Sequence, residues 1–241
     1  MFKQKFHRGI GLISAAVIAS MIISSCGNAA PKASEKLSSK LEPFTGTVEH
    51  IFFHPLIVFP QISFPKSSKG GYICDWFVTL DECNKIIAEL YDRGFILVSV
   101  KDLYEIRNGQ AVKKQLLCPA GKKPLIISVD DVNYYPTMQT HGMAKKLLVK
   151  DNKLVSLINV PEGGEKVLEN SELMEVVDSF VAKHPDFSFN GAKGIIALTG
   201  YNGVFGYDTH KLKSPTYETE KVQAIKIAEF LKKDGWEFAS H

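Results

Sequence analysis

The sequence predicts one α/β domain built on a parallel β-sheet. Short apolar runs alternate with longer segments of helical spacing from about residue 48 to residue 241, and this alternation is typical of strand–helix–strand crossover units. The runs LIIS (125–128) and IIAL (195–198) are apolar at nearly every position, as expected for parallel strands that are buried on both faces. An open, doubly wound sheet and a barrel both fit this pattern.

The first half of the domain begins with a strand at 48–57, the run VEHIFFHPLI. A helix follows at 79–94, because its apolar residues recur at helical spacing. Thr79 or Asp81 can cap its start, and Gly94 can end it. The other elements of this half are a strand at 95–100, a short helix at 101–106, a strand at 122–129 and a helix at 136–149.

The second half begins with a hairpin or excursion at 152–160, the run NKLVSLINV. An amphipathic helix at 170–186 has Asn170 or Ser171 at its start and Pro185 beyond its end. A strand at 193–200, a helix at 217–235 and a strand at 236–240 complete the predicted order.

The composition is that of a folded globular chain, with 45% hydrophobic and 23% charged residues. The formal net charge is +3. Lys3, Lys5 and Arg8 supply three positive charges, and no acidic residue precedes Cys26. Removal of this segment leaves a net charge near zero, so the composition does not indicate a nucleic-acid partner.

The first 25 residues are typical of an export signal, because a basic start precedes the apolar run 10–23. The following sequence MIISSCGN resembles the lipobox of bacterial lipoproteins. This resemblance implies cleavage before Cys26, a lipid on that cysteine and anchoring to the outer face of the cell membrane. The alternative is a plain secretory signal in which Cys26 is incidental. The polar segment 26–47 is predicted to be a flexible tether.

Two adjacent aspartates, Asp130 and Asp131, follow the apolar strand in the run PLIISVDDVNYY. In parallel α/β folds, functional residues lie at the carboxyl ends of strands. His241 follows another predicted strand in the same way. Two carboxylates and one imidazole at one sheet edge suit a metal ion and a proton acceptor. In the alternative interpretation, Asp131 caps the next helix and Asp130 is a solvated loop residue.

Three segments together resemble the polysaccharide deacetylases, the NodB-homology or carbohydrate esterase 4 group. HIFFHPLI (50–57) is similar to the opening strand of that family, and PLIISVDDVNYY (124–135) to its first catalytic motif. DGWEFASH (234–241) is similar to the approach to its second motif, His-x-x-x-His. The resemblance covers residues 48–241 and implies a distorted (β/α) barrel.

The resemblance also implies the roles of the site residues. Asp130 matches the general base, while Asp131 and His241 match ligands of a divalent metal ion such as zinc. Tyr134 or Tyr135 is expected to face the substrate groove, and Tyr134 is the predicted substrate-binding residue. The implied reaction is hydrolysis of N-acetyl groups on sugar units, in which the metal lowers the pKa of its bound water toward about 7.

The chain departs from the family pattern at several points. Val132 stands where the motif has glycine, a residue that adopts positive φ freely. The second histidine of the second motif would follow four residues after His241, and the later Arg-Pro motif and the distal histidine are not in this sequence. The resemblance therefore implies an incomplete, C-terminally truncated barrel, which by itself is expected to be inactive, with an exposed strand edge.

Cysteine and histidine residues elsewhere do not form a second metal pattern. Cys74, Cys83 and Cys118 lack CxxC spacing, so a zinc–cysteine site is not predicted. They are expected to be mainly small buried residues, and a Cys74–Cys83 disulfide is a further option. His50 and His54 are expected to pack or to line the cleft.

The sequence is compatible with three functions. The leading hypothesis is a lipid-anchored, metal-dependent deacetylase of cell-surface polysaccharide, with peptidoglycan-type N-acetyl sugars as substrate. The alternative is a non-catalytic lipoprotein that binds carbohydrate or cell wall through the same fold. A solute-binding lipoprotein would share the anchor and the α/β content, but it does not explain Asp130, Asp131 and the run GWEFASH together.

Overall fold

The computed structural model describes residues 40–65, residue 71 and residues 73–241. The predicted signal peptide (1–25), the predicted lipidation site Cys26 and the tether as far as residue 39 lie outside the described residues. Within the described ranges, no helix is both long and apolar enough to cross a membrane.

The described residues form twelve strands and seven α-helices. The strands are β1 (Leu41–Pro43), β2 (Glu49–Phe53), β3 (Phe95–Leu97), β4 (Tyr104–Arg107), β5 (Gln110–Lys113), β6 (Leu117–Pro119), β7 (Lys123–Asp130), β8 (Ala144–Lys150), β9 (Lys153–Asn159), β10 (Glu165–Leu168), β11 (Gly194–Leu198) and β12 (Trp236–Ser240). The helices are α1 (Pro60–Ser63), α2 (Ile73–Trp76), α3 (Leu80–Asp92), α4 (Val100–Leu103), α5 (Pro136–Gln139), α6 (Leu173–Lys183) and α7 (Tyr217–Lys233).

Five strands form a parallel sheet in the order β12-β11-β7-β2, with β3 also paired to the beginning of β7. Every strand pair in this sheet is parallel. The described strands do not close into a barrel, because β12 and β2 lie at opposite ends of the order and are not paired with each other. The predicted α/β class with a parallel sheet is therefore confirmed.

Helix α3 begins at Thr79, as the sequence predicts. The Thr79 hydroxyl accepts a hydrogen bond from the Glu82 amide at 3.2 Å, and the Glu82 carboxylate accepts one from the Thr79 amide at 2.8 Å. This reciprocal capping box satisfies two amides that a helix start otherwise leaves without partners. The hydrogen bonds from the backbone and side chain of Thr79 lower the pKa of Glu82.

One face of the parallel sheet packs against helices α3, α6 and α7 to form the main core. Ile127 of β7 and Ile196 of β11 are fully buried in a cluster that also contains Ile87, Val177 and Ile227 of those helices. Complete burial of an aliphatic side chain of this size stabilises a fold by about 1.5–3 kcal/mol. This core holds β7 at the centre and thereby fixes where its carboxyl end lies.

The opposite face of the sheet is only partly covered by the described residues. Ile126 packs there against a small cluster that includes Leu103 and Leu116. Closer to the carboxyl ends of the strands, His50 bonds with the Ser128 hydroxyl at 2.9 Å, and Phe52 remains 53% exposed. An exposed face is unusual for a parallel sheet, since such sheets are normally covered on both sides.

The helix predicted at 136–149 is wrong over most of its length. Only Pro136–Gln139 is helical, and Ala144–Lys150 is strand β8, which pairs antiparallel with β9. The helix ends at Gln139 with Thr140 as its C-cap, and Gly142 follows at φ 72°, where a Cβ atom would lie 2.6 Å from the carbonyl oxygen of Phe59. Strands β8, β9 and β10 form a three-stranded antiparallel sheet, which is the predicted excursion extended by one strand on each side.

The short helix predicted at 101–106 is also wrong in its second half. Helix α4 ends at Leu103, and strand β4 starts a hairpin with β5. Asn108 and Gly109 form the turn at φ 51° and 77°. An Asn-Gly pair is the strongest short-range signal for a two-residue hairpin turn, so the sequence contained the information.

Two further predictions need correction at the beginning of the domain. The tether predicted for 26–47 extends too far, because β1 pairs antiparallel with β6 and the amide of Phe44 donates to the carbonyl of Leu116 at 2.9 Å. The Cys74–Cys83 disulfide is absent from the described residues, where all three cysteines are free. Cys74 is exposed, whereas Cys83 is buried, and burial raises its thiol pKa to about 12.

Helix α6 begins with two buried glutamates. Its N-cap residue is Glu172, not the predicted Asn170 or Ser171, and the Glu172 side chain makes no capping bond. Glu175 is 4% exposed and accepts hydrogen bonds from the Ser156 hydroxyl at 2.6 Å and the Ser171 amide at 2.8 Å. Burial raises the pKa of Glu175 to about 7. These bonds lower that pKa again, but burial outweighs them.

Glu172 is fully buried and has no partner within hydrogen-bonding geometry for either carboxylate oxygen among the described residues. Burial raises its pKa well above the ordinary value, and the neighbouring Glu175 raises it further. The nearby backbone amides of Leu56 and Leu173 lower this pKa, but burial outweighs them. The folded protein therefore favours the protonated form of Glu172, and folding becomes less favourable as the pH rises above its ordinary pKa of 4.5.

We predict that Glu172→Gln stabilises the protein at neutral pH and leaves its stability nearly unchanged at pH 4.5. A carboxyl whose folded-state pKa is raised binds its proton more tightly in the folded state, so it loses about 1.4 kcal/mol of stability per pH unit above its unfolded pKa. The amide has no such loss. Urea unfolding of wild type and variant from pH 4.5 to 8 measures the difference.

The control for this experiment is Glu169→Gln, at a glutamate whose side chain is 58% exposed and paired with Lys153 at 3.0 Å. Its effect should be small and should not grow with pH above 5. Equal unfolding free energies of wild type and Glu172→Gln at pH 8 would contradict a raised pKa of Glu172 in the folded protein.

Candidate active site

Three of the sequence-predicted site residues meet at the carboxyl edge of the parallel sheet. Asp130 is the last residue of β7, Asp131 follows it, and His241 follows β12. Strand β11 lies between β7 and β12, and it pairs with both: Ala197 is opposite Asp130 on one side and Ala239 on the other. This register brings residues that are about 110 positions apart in sequence to one place.

The imidazole of His241 lies between the two carboxylates. Its Nε2 is 3.8 Å from Asp130 Oδ2, and its Nδ1 is 3.6 Å from Asp131 Oδ1. The two aspartate side chains are each 17% exposed, and that of His241 is 47% exposed. The His241 amide donates to the carbonyl of Leu198 at 3.1 Å, so its backbone continues the β11–β12 ladder by one residue.

The loop after β7 is bent by two residues in the left-handed region. Asp131 has φ 57° and Tyr134 has φ 59°. Aspartate adopts this region more often than most residues, whereas a bulky aromatic side chain there is a conformational outlier. Such backbone strain costs about 1–3 kcal/mol and often occurs at functional sites.

Val132, at the position of the motif's glycine, does not need a positive φ in this structure. Positions 131 and 134 have the positive φ angles of the bend instead, and the Val132 side chain is fully buried. Its carbonyl accepts a hydrogen bond from the Phe205 amide at 2.7 Å. Valine therefore anchors the loop to the core where the family motif would have a flexible residue.

Tyr134 does not face the groove, so its predicted substrate contact is wrong. It is 1% exposed, and its hydroxyl has no hydrogen-bond partner among the described residues. Burial raises its pKa well above 10, with Glu172 and Glu175 contributing in the same direction. The positive φ at Tyr134 turns this ring inward, and Tyr135 takes the outer position.

Tyr135 is the tyrosine of the pair that reaches the site. Its hydroxyl donates to Asp131 Oδ1 at 3.2 Å. Its ring helps to line a cavity of about 300 Å³ beside Asp131, together with His54, Trp76 and Phe77. His54 bonds through Nδ1 with the Trp76 carbonyl at 3.0 Å. His54 thus lines the cleft, as expected from the sequence.

The glycine-rich run 200–206 braces the loop that carries the aspartates. The Asn133 side-chain amide donates to the Tyr201 carbonyl, and Phe205 is buried with its carbonyl accepting from the Leu147 amide at 3.0 Å. Gly206 has φ 83°, and a Cβ atom there would collide with the backbone of Lys145. The run GYNGVFG is therefore a support for the site, a role that its sequence alone did not reveal.

Asp131 and His241 are spaced as two ligands of one divalent ion. Two ligands at about 2.0–2.1 Å from a tetrahedral zinc ion lie about 3.4 Å apart, and the observed separation is 3.6 Å. A catalytic zinc site has three protein ligands. The described part of the chain contains no group of three or more His, Cys, Asp or Glu side chains that could hold a metal ion.

Comparisons of the chain with protein-family models, with curated proteins and with solved structures found no match. The resemblance to polysaccharide deacetylases, and the roles that it implies for Asp130, Asp131 and His241, stay predictions from the sequence.

We predict that Gly206→Ala destabilises the protein by about 1–3 kcal/mol more than Gly163→Ala does. Both glycines have positive φ, at 83° and 94°, but a Cβ atom at Gly163 would meet nothing within 4 Å. The difference between the two variants therefore isolates the collision with Lys145, which is an overpacking cost. Urea unfolding at fixed pH measures both values, and equal losses would show that the glycine-rich run is not packed tightly against β8.

Proposed function

We propose that the site of Asp130, Asp131 and His241 is that of a metal-dependent deacetylase, which removes N-acetyl groups from a sugar polymer. The observation that carries the proposal is the convergence of Asp130, Asp131 and His241 within 4 Å from separate parallel strands. Two carboxylates beside one imidazole can supply the proton acceptor and the metal ligands that hydrolysis of an amide needs.

Asp130 acts as the general base in this proposal. Its side chain is 17% exposed, so it is shielded but can still reach a water molecule. The carboxylate takes a proton from that water, and the resulting hydroxide attacks the carbonyl carbon of the N-acetyl group. The C–N bond then breaks, Asp130 returns the proton to the leaving nitrogen, and the products are acetate and a free amine.

Asp131 and His241 would hold a divalent metal ion. When bound, a divalent ion of the zinc type supplies Lewis-acid polarisation of the carbonyl and a lowered pKa for water. Tyr135 positions Asp131, because its hydroxyl donates to the Oδ1 atom that faces His241. A ligand held by such an outer partner keeps its orientation, and loss of the partner typically weakens metal affinity.

The proposed architecture is part of a distorted barrel of the NodB-homology type. The helices described above cover one face of the parallel sheet, and the face with Phe52 and His50 is open. In a barrel, that face would be the interior. A lipid on Cys26 would hold the domain at the outer face of the membrane, where peptidoglycan-type N-acetyl sugars are the nearest polymer of this chemistry.

A binding-only lipoprotein is the second candidate function. The observation that favours it is the number of ligands, since the described residues offer two well-placed ligands where a catalytic zinc needs three. In that case the site would bind the polymer without hydrolysing it. Release of acetate from the polymer separates the two functions.

We predict that Asp130→Asn lowers the rate of acetate release from N-acetylglucosamine oligomers by about 10²-fold or more, which is the usual contribution of a positioned base. The variant keeps the size of the side chain but removes its basicity. Acetate is measured with a coupled assay in the presence of zinc. Asp151→Asn, in the exposed turn between β8 and β9, is the matched control and should keep wild-type activity.

We predict that Asp131→Asn and His241→Ala each weaken zinc binding by at least about tenfold, because each removes one of two ligands. Isothermal titration of the purified chain with zinc measures the affinity. His210→Ala is the control, since its nearest acidic group is Asp208 at 3.9 Å, in the loop before α7. Unchanged zinc affinity in both site variants would rule out the proposed metal position.

A further inference from the structure

Two of the most exposed aromatic side chains in the described residues lie on either side of the carboxylate pair. Trp76 is 59% exposed and Tyr201 is 69% exposed. Large aromatic rings normally bury most of their surface. Trp76 lines the cavity beside Asp131, and Tyr201 lies next to Tyr135, which lines the same cavity, so the exposure of both rings is a feature to explain. Nothing in the proposed hydrolysis uses either ring.

Both residues are held firmly by their backbones while their rings face solvent. The Trp76 carbonyl is bonded by His54, and the two rings meet edge to face at 6.2 Å. The Tyr201 carbonyl accepts a hydrogen bond from Asn133, and its ring lies 5.8 Å from that of Tyr135. An exposed ring on an anchored backbone is ready for a ligand at little cost in conformational entropy.

The two rings are separated by the site itself. Trp76 lies on the side of β2, Tyr201 follows β11, and β7 lies between these two strands in the sheet. Neighbouring strands are about 4.8 Å apart, so the two loops start about 10 Å apart. Asp131 and Tyr135 occupy the middle of this span. A ligand that contacts both aromatic rings therefore passes Asp131 and Tyr135, which lie between them.

The aromatic rings and the two carboxylates between them indicate which kind of ligand fits the site. Aromatic faces pack against the apolar C–H faces of sugar rings, which leaves the hydroxyl groups in water. Asp130 and Asp131 disfavour a strongly anionic chain at the centre of the span. An aromatic–carboxylate–aromatic order thus fits an extended, uncharged sugar chain with one unit placed at the carboxylates.

We propose that Trp76 and Tyr201 are stacking platforms for the sugar units on either side of the unit that reacts, so that the site binds a linear oligosaccharide and discriminates against a single sugar. This inference rests on the proposed function for the identity of the central unit. The platforms themselves would also serve a binding-only protein, so the two proposals can fail separately.

The test uses intrinsic fluorescence, because the chain has two tryptophans and the second one, Trp236, is 2% exposed. The Asp130→Asn chain, which prevents turnover, is titrated with N-acetylglucosamine and with its linear oligomers. Oligomers are expected to shift the emission to shorter wavelength in a saturable way, and the single sugar is expected to bind at least about tenfold more weakly. The spectral change should vanish in Trp76→Phe.

Affinity is then compared by isothermal titration in two matched variants. Tyr201→Ala should weaken oligomer binding roughly three- to tenfold. Tyr104→Ala removes a ring that is 43% exposed on the β4–β5 hairpin, away from the carboxyl edge of the sheet, and should change nothing. Circular dichroism of each variant confirms that it is folded.

Equal affinity for the single sugar and the oligomers, or an emission spectrum that does not respond to saturating oligomer, would overturn the platform proposal. A clear oligomer response without any acetate release by the wild-type chain would support the platforms and would reject the deacetylase function. Acetate release that is equally fast from the single sugar and the oligomers would support the deacetylase function and reject the platforms.

Discussion

The pairing of β11 with both of its neighbours is the constraint on which the candidate site depends. Ala197 lies opposite Asp130 on one side and Ala239 on the other, so the ends of β7 and β12 stop at the same level. A slip of one residue in either pair would turn every side chain of that strand to the opposite face. The buried face, with Ile127 and Ile196, prevents such a slip because the slip would expose the core.

The same core contains two buried glutamates and a tyrosine with positive φ beneath the site. Tyr134, with positive φ, projects its ring into the region where Glu172 and Glu175 are buried. Tyr134 and Glu172 each cost stability, since buried polar atoms without partners are unfavourable. Natural folds usually accept such costs where they fix a functional loop. Here the buried polar groups without partners lie under the turn that orients Asp131. The least stable part of the core is therefore next to the proposed catalytic residues.

The carboxyl edge of the parallel sheet has different side chains on the two sides of the carboxylates, an arrangement that suits a long ligand. On the β2 side the wall is aromatic, with His54 and Trp76, and on the β11 side it is the braced run that carries Tyr201. The carboxylates sit between these walls and are shielded from most of the solvent.

Hydrophobic periodicity and helix caps are local signals, so they suffice to predict the parallel α/β class, the long helices and the position of Asp130, Asp131 and His241 at strand ends. Three features could not be predicted in this way: β8 is a strand, Tyr135 and not Tyr134 reaches the site, and Glu172 is buried without a partner. Each of these depends on contacts between distant segments. Strand β8 needs β9 and Phe59 beside Gly142, and the tyrosines depend on two positive φ angles that residue type does not dictate.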